Sequence, residues 1–188
     1  MNTKERLLLS AKEVFSEKGF HKTKVSDIVG KAGVSQGTFY IYFKSKEEIF
    51  KELILQLKEK ILKIVKEKYD SSLEGNLLQM NKEFLKLLYE NKKIAEIFLY
   101  QIFPVSESFK KIYFETVEEI RRYLTEIIDE AVKKEHLKKV SPDNIANMII
   151  GYKRMVFEDY ILLQRKSFQE TLSLSEEGIK IILVGLKS

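Results

Sequence analysis

Residues that break helices are scarce: 8 glycines and 2 prolines, Pro104 and Pro142, serve all 188 residues. Sandwiches and barrels need frequent turns, so a chain this poor in turn formers is left with long helices. The apolar residues agree. Leu7, Leu8, Ala11, Val14 and Phe15 recur at helical spacing, and so do Phe50, Leu53, Ile54, Leu57, Ile61, Ile64 and Val65. No segment alternates convincingly with the period of a strand. The fold class expected is all-α.

Thr3 and Gly19 bound a first predicted helix over residues 4–18. Thr23 is the predicted cap of a short helix that stops at Gly33, and Ser35 caps a second, Gln36 to Tyr42. Two helices of about two turns joined through Ala32-Gly33-Val34-Ser35 match a helix-turn-helix, in which the glycine allows the turn and an apolar residue plugs it. Ser45 then caps a helix over residues 46–68, about 35 Å long at 1.5 Å per residue. Further helices are predicted over residues 77–90, 92–103 and 106–136. Ser141-Pro142 sets the start of one running to about Lys166, and Ser175 caps a last one to about Leu186.

Composition narrows the function. With 44% hydrophobic and 32% charged residues the chain can bury a core. It has no cysteine, and its 2 histidines, His21 and His136, lie far apart. Disulfides, thiol catalysis and cysteine-based zinc sites are thereby excluded within this chain, and no metal or cofactor is expected. No nucleophile–base pair or paired-carboxylate motif is present, so no catalytic residue is assigned and an enzyme is not expected. No apolar run approaches the ~18 residues of a membrane span. Residues 1–10 lack the apolar stretch of a signal peptide, so a cytoplasmic protein without a membrane partner is expected. The net charge is +5, and residues 1–50 carry 9 basic against 6 acidic side chains. Such a bias is compatible with nucleic acid and equally with a solvated lysine-rich face.

One pattern is more specific. The run Leu7-x3-Ala11-x3-Phe15-x3-Gly19-Phe20-x2-Thr23-x-Val25-x-Asp27-Ile28-x4-Gly33-Val34-Ser35-x-Gly37-Thr38-Phe39-Tyr40-x2-Phe43-x-Ser45-Lys46-Glu47-Glu48 resembles the DNA-binding domain of TetR-type transcriptional regulators. The rest of the chain is similar in architecture alone. The resemblance implies an N-terminal three-helix helix-turn-helix DNA-binding domain, residues 1–46, and a larger C-terminal helical ligand-binding and dimerisation domain, residues 47–188. It implies a ligand-responsive repressor that binds a palindromic double-stranded DNA operator as a homodimer and is released by a small apolar or aromatic ligand. The alternative is a helical small-molecule or lipid-binding interaction protein without operator binding.

The expected DNA-binding residues are Lys24, Ser35, Gln36, Gly37, Thr38, Tyr40, Tyr42 and Lys46. Gln36 can pair with adenine, and Thr38 can touch thymine or phosphate. Gly37 permits close approach, and the tyrosine hydroxyls can donate to phosphates. Lys46 joins a cation to a helix N-terminus. Lys24 stands where the family usually has Thr or Ser. Lys22 and Lys44 are equally readable as solvated lysines, whereas Phe39, Ile41 and Phe43 read as core.

Behind this run, the family's pocket is expected to be lined by Phe84, Phe98, Tyr113, Tyr123, Tyr152 and Phe157. The last two helices look too apolar for one buried stripe. Ile149, Val156, Ile182 and Leu186 are therefore the expected dimer interface.

Overall fold

A computed structural model describes residues 1–69, 72–104, 106–134, 138 and 140–186; His136 lies outside the described residues. Among them there is no strand. The helices are α1 (Thr3–Lys22), α2 (Val25–Ala32), α3 (Gln36–Tyr42), α4 (Lys46–Lys66), α5 (Leu73–Ile97), α6 (Glu107–Lys134), α7 (Pro142–Met155) and α8 (Phe168–Val184). Two of them run on as wider π-helical turns, α5 through Phe98–Ile102 and α7 through Val156–Leu163.

Several ends differ from the sequence reading. The cap of α1 is Asn2, whose Oδ1 accepts from the Glu5 amide at 2.9 Å while Glu5 Oε2 accepts from the Asn2 amide at 2.9 Å. This reciprocal pair satisfies two amides where Thr3 could satisfy one. The two helices expected over residues 77–103 are one, bent at Asn91 (φ −123°, ψ 15°) with no glycine or proline there to end it. At the start of α8, Ser167 caps in a reciprocal pair with Glu170. Ser175, predicted to be that cap, is instead buried inside the helix.

The chain divides into two compact units, Met1–Glu59 with Asn91–Tyr113, and Lys60–Glu90 with Phe114–Ser188. Helices α4, α5 and α6 each contribute residues to both. The first unit is built around Phe15, Phe20 and Phe50, with ring centroids 5.6 Å apart for Phe15–Phe20, 5.1 Å for Phe15–Phe50 and 5.2 Å for Phe20–Phe50. Each ring buried in this way contributes roughly 1.5–3 kcal/mol.

The core of the second unit joins Leu77 and Met80 of α5, Leu124 and Ile128 of α6, Ile145 and Ile149 of α7, and Ile179 and Leu183 of α8. Here α7 meets α8 at Gly178, where an added Cβ would lie 2.1 Å from the Tyr152 hydroxyl oxygen. That hydroxyl donates to the Leu174 carbonyl at 2.9 Å. Burial pushes the phenol up to about 12, so it stays protonated and keeps donating.

Gly178→Ala should therefore expel the Tyr152 ring and lower stability by roughly 1–3 kcal/mol. In a Tyr152→Ala background the clash is gone, and the same change should stabilise by about 1 kcal/mol through helix propensity. Urea unfolding of the four proteins checks this reversal of sign; an unchanged sign would mean that the ring does not sit over Gly178.

Candidate nucleic-acid interface

The geometry of the first unit is set where α1 ends. Gly19 has φ 76° and ψ 170°, a region of backbone space that is essentially glycine's alone. The turn it makes is held from three sides. Thr23 Oγ1 donates to the Gly19 carbonyl at 2.7 Å, and the Phe20 amide donates to Gln101 Oε1 of the π-helical turn at 3.2 Å. Lys46 Nζ donates to the carbonyls of Phe20 (3.0 Å), His21 (3.2 Å) and Thr23 (3.1 Å) and stands 4.7 Å over the Phe20 ring.

Two expectations change here. Thr23 does not cap α2: its hydroxyl is spent on Gly19, and Asp27 serves instead. Asp27 Oδ2 accepts from the Lys24 amide at 2.9 Å, and its Oδ1 lies 2.8 Å from Lys18 Nζ. The Lys18 hydrogen bond first, then the Lys24 amide, hold its carboxyl below the usual range. Lys46, expected as a phosphate anchor, commits its three N–H donors to the carbonyls at the end of α1, where a cation also suits the helix dipole. It positions the helix-turn-helix rather than offering its charge to DNA.

Gly33 makes the turn from α2 with φ 64° and ψ 38°, and Val34, half-buried, plugs it as expected. Ser35 caps α3 by accepting from the Thr38 amide at 3.1 Å, and its Oγ lies 2.8 Å from Thr38 Oγ1. On α3, Phe39 is fully buried and the following Phe43 nearly so, four residues on. Ile41 is 78% exposed, against the expectation that it is core. Its alternation with Phe39 and Phe43 is the period of a strand; on a helix it points about 200° away from Phe39.

The outward face of α3 brings Gln36, Gly37 and Tyr40 together, all exposed, with Thr38 half-buried beside its cap. Tyr40 is 54% exposed with its ring edge-on to Phe39, and Tyr42 is exposed at the helix end. The helix carries no charged side chain, so no carboxylate opposes an approaching phosphate. Lys22, Lys24 and Lys44 are exposed at the ends of α1, α2 and α3, whereas Lys18 pairs with Asp27 and Lys31 with Glu13 and Glu17.

The remaining expected residues are dispersed. Phe98 and Tyr113 belong to the first unit, within the aromatic cluster of Phe109 and Phe50, while Phe84, Tyr123, Tyr152 and Phe157 belong to the second. Tyr152 is seated over Gly178, Tyr123 carries Lys66 Nζ 4.9 Å above its ring, and Phe157 is buried. Of the expected dimer residues, Ile149, Val156 and Leu186 are buried within this one chain, so a partner subunit is not what covers them; Ile182 is half-buried. The apolar residues left outside on α7 and α8 are Met148 (53% exposed), Ile181 (65%) and Val184 (64%), with Leu163 (76%) at the end of the π-helical stretch.

Comparison with known proteins decides the family. Residues 7–53 match the model of bacterial regulatory proteins of the tetR family, and residues 75–182 match the tetracyclin repressor-like C-terminal domain. The chain belongs to the TetR family. It is 32% identical to a TerR/AcrR-family transcriptional regulator from Aquifex aeolicus VF5, covering 96% of this chain and 99% of that one with a TM-score of 0.80. It is 27% identical to the HTH-type transcriptional regulator YdgC of Bacillus subtilis, over 99% of this chain and 93% of the relative. The fold is shared with FadR from Bacillus subtilis, solved in complex with stearoyl-CoA, at 24% identity, coverage of 97% and 98%, and a TM-score of 0.75. TetR-family regulators are DNA-binding transcription factors and generally not enzymes. Among the described residues no helix is long and apolar enough to cross a membrane, and no group of three or more acidic or histidine side chains is placed to hold a metal.

Replacing Lys46 by Met should leave the His21 and Thr23 carbonyls without this donor, while the Phe20 carbonyl keeps the Thr23 amide at 3.3 Å, and cost roughly 1–3 kcal/mol. Lys46→Arg should not restore it, because a planar fork does not fit three divergent acceptors. Hydrogen exchange at the end of α1 and in α2 reads this directly; unchanged protection in Lys46→Met would mean that the clamp contributes nothing.

Proposed function

We propose that this TetR-family chain is a ligand-responsive repressor that binds a palindromic operator as a homodimer, with α3 in the major groove. The observation that carries the reading is the outward face of α3: Gln36, Gly37 and Tyr40 exposed on a helix with no carboxylate, backed by buried Phe39 and Phe43. Residues at the N-terminal end of a recognition helix are those that meet base edges. Gln36 reads a base, preferentially adenine, Thr38 offers its methyl to thymine, and Gly37 allows close approach. Ser35 fixes the start of the helix. Tyr40, Tyr42 and Lys24 engage phosphates, joined by Lys22 and Lys44. Residues 1–46 form the DNA-binding domain and residues 47–188 the ligand-binding and dimerisation domain, with Phe84, Tyr123 and Phe157 among the side chains near the ligand.

Dimerisation uses three of the apolar residues that the chain leaves outside, Met148 of α7 with Ile181 and Val184 of α8. Half-buried Ile182 lies at its rim. The ligand is a small molecule with a substantial apolar part, a reading supported by the stearoyl-CoA named for FadR. Ligand and operator oppose each other, and by linkage each weakens the other by the same factor, roughly 5–150-fold for a typical coupling of about 1–3 kcal/mol.

Gln36→Ala should cost ~1–3 kcal/mol per half-site on operator and little on random DNA, while Lys44→Ala should weaken both alike and lower the salt slope by about 1 per subunit. Fluorescence anisotropy on the two duplexes at several salt concentrations separates them; equal losses for Gln36→Ala would remove it from base reading. Pairing Met148→Glu with Ile181→Glu should give monomers by sedimentation, with operator affinity reduced for lack of the second half-site.

A further inference from the structure

The second unit contains a polar group that neither its core nor DNA binding uses. Asn81 of α5, Lys153 of α7 and Ser175 of α8 meet inside it. Lys153 Nζ donates to Asn81 Oδ1 and, at 3.1 Å, to Ser175 Oγ; the Ser175 hydroxyl in turn donates to Asn81 Oδ1 at 2.7 Å. Asn81 is 1% exposed, and its Nδ2, which carries two N–H groups, has no hydrogen-bond partner among the described residues. Rotating the amide would only exchange an orphan donor for an orphan acceptor and set an NH2 group against the ammonium.

The arrangement is poor as a structural pin. A buried ammonium is ordinarily paired with a carboxylate, yet the acceptors of Lys153 are both neutral and no carboxylate lies within 4 Å of it among the described residues. Burial pushes it down to about 7, against a small opposing effect of Glu176, the charged neighbour on α8. A methionine at this place would cost less. Lys153 is half-buried as a residue, yet its ammonium is turned inward onto Asn81 and Ser175, the reverse of ordinary snorkelling. The helix also widens into its π-helical stretch at Val156, three residues beyond, a distortion frequent at functional sites. Met80, Ile149 and Ile179, on the same three helices, belong to the apolar core of the unit.

We propose that Lys153 and Asn81 receive the carboxylate of a monoanionic ligand whose body is apolar. One carboxylate oxygen takes the third ammonium N–H and the other the unpaired Asn81 N–H, while Ser175 holds the amide in orientation. The ligand is a monoanion because the site offers one positive charge and lies near Glu176, which disfavours a phosphate dianion. This rests on the reading that the second unit receives the effector, and names its chemistry.

The test uses the full-length protein labelled with 13C at lysine Cε, the Lys153 signal being assigned by its loss in Lys153→Met. Sodium carboxylates from acetate to dodecanoate, the matching alcohols and inorganic phosphate are titrated in turn. A carboxylate should move the Lys153 signal and raise its titration midpoint, and the alcohol of equal length should not. Lys153→Met should weaken that carboxylate by roughly 10- to 150-fold, the range expected for losing a hydrogen bond to a charged group. Asn81→Asp, which supplies a carboxylate from within the chain, should abolish binding and raise the same midpoint.

A Lys153 signal that no carboxylate moves overturns the proposal, as does one moved by phosphate alone, or equal affinity for carboxylate and alcohol. Operator affinity followed in parallel keeps the two readings apart. A carboxylate bound at Lys153 without effect on operator would contradict ligand response and leave the anion site standing. Operator release by a compound that leaves Lys153 unmoved would do the opposite.

Discussion

Three carbonyls at the end of α1, those of Phe20, His21 and Thr23, converge on the single ammonium of Lys46 at the start of α4. A helix end leaves such acceptors unsatisfied, and where the chain must turn sharply they cannot be met by the next helical turn. Gly19 makes the turn possible by adopting φ 76°, and Lys46 closes it. Phe20 is thereby placed on Phe15 and Phe50, and α2 begins where Asp27 can accept from the Lys24 amide. The angle at which α2 and α3 leave α1 follows from this closure, and with it the outward face of α3. The charge on Lys46 is thus spent inside the unit, on the turn that orients α2 and α3.

The first unit is not confined to the first three helices. Gln101, on the π-helical turn after α5, accepts from the Phe20 amide at the same turn of the chain. Phe98 and Phe109 join the aromatic cluster through Phe50. A segment far along the sequence thus completes the packing at the base of the helix-turn-helix. In the second unit the corresponding irregularity is the π-helical stretch of α7, next to Lys153, whose ammonium has no carboxylate within 4 Å among the described residues. Both departures from regular α-helix lie beside polar groups that the apolar core does not explain.

Much of the fold was legible because the local chemistry is unambiguous. Ser35 has one amide to cap, Gly33 one turn to make, Pro142 one place at the start of a helix, and the structure has each there. Legibility failed where a residue had two possible partners. Ser175 reads as a cap until Ser167 and Glu170 are seen to form the better one. Thr23 reads as a cap until its hydroxyl is found on the Gly19 carbonyl. Lys46 reads as an anion binder because the carbonyls that occupy it lie more than twenty residues away. Ile41 reads as core only when a strand's period is applied to a helix. The excess of apolar residues on α7 and α8 was legible, but not its division: Ile149, Val156 and Leu186 turn inward, and Met148, Ile181 and Val184 are left outside. The meeting of Asn81, Lys153 and Ser175 had no local signal, since three helices supply one residue each.

Whether α3 reads DNA from a dimer is decided by selection from a pool of random duplexes with the full-length protein, followed by sequencing of what is retained. The expected product is an inverted repeat whose half-site centres lie about 34 Å apart or a multiple of that, one turn of B-DNA, because a two-fold dimer presents two copies of α3. Retention of no common sequence, or of a single site without symmetry, would contradict it.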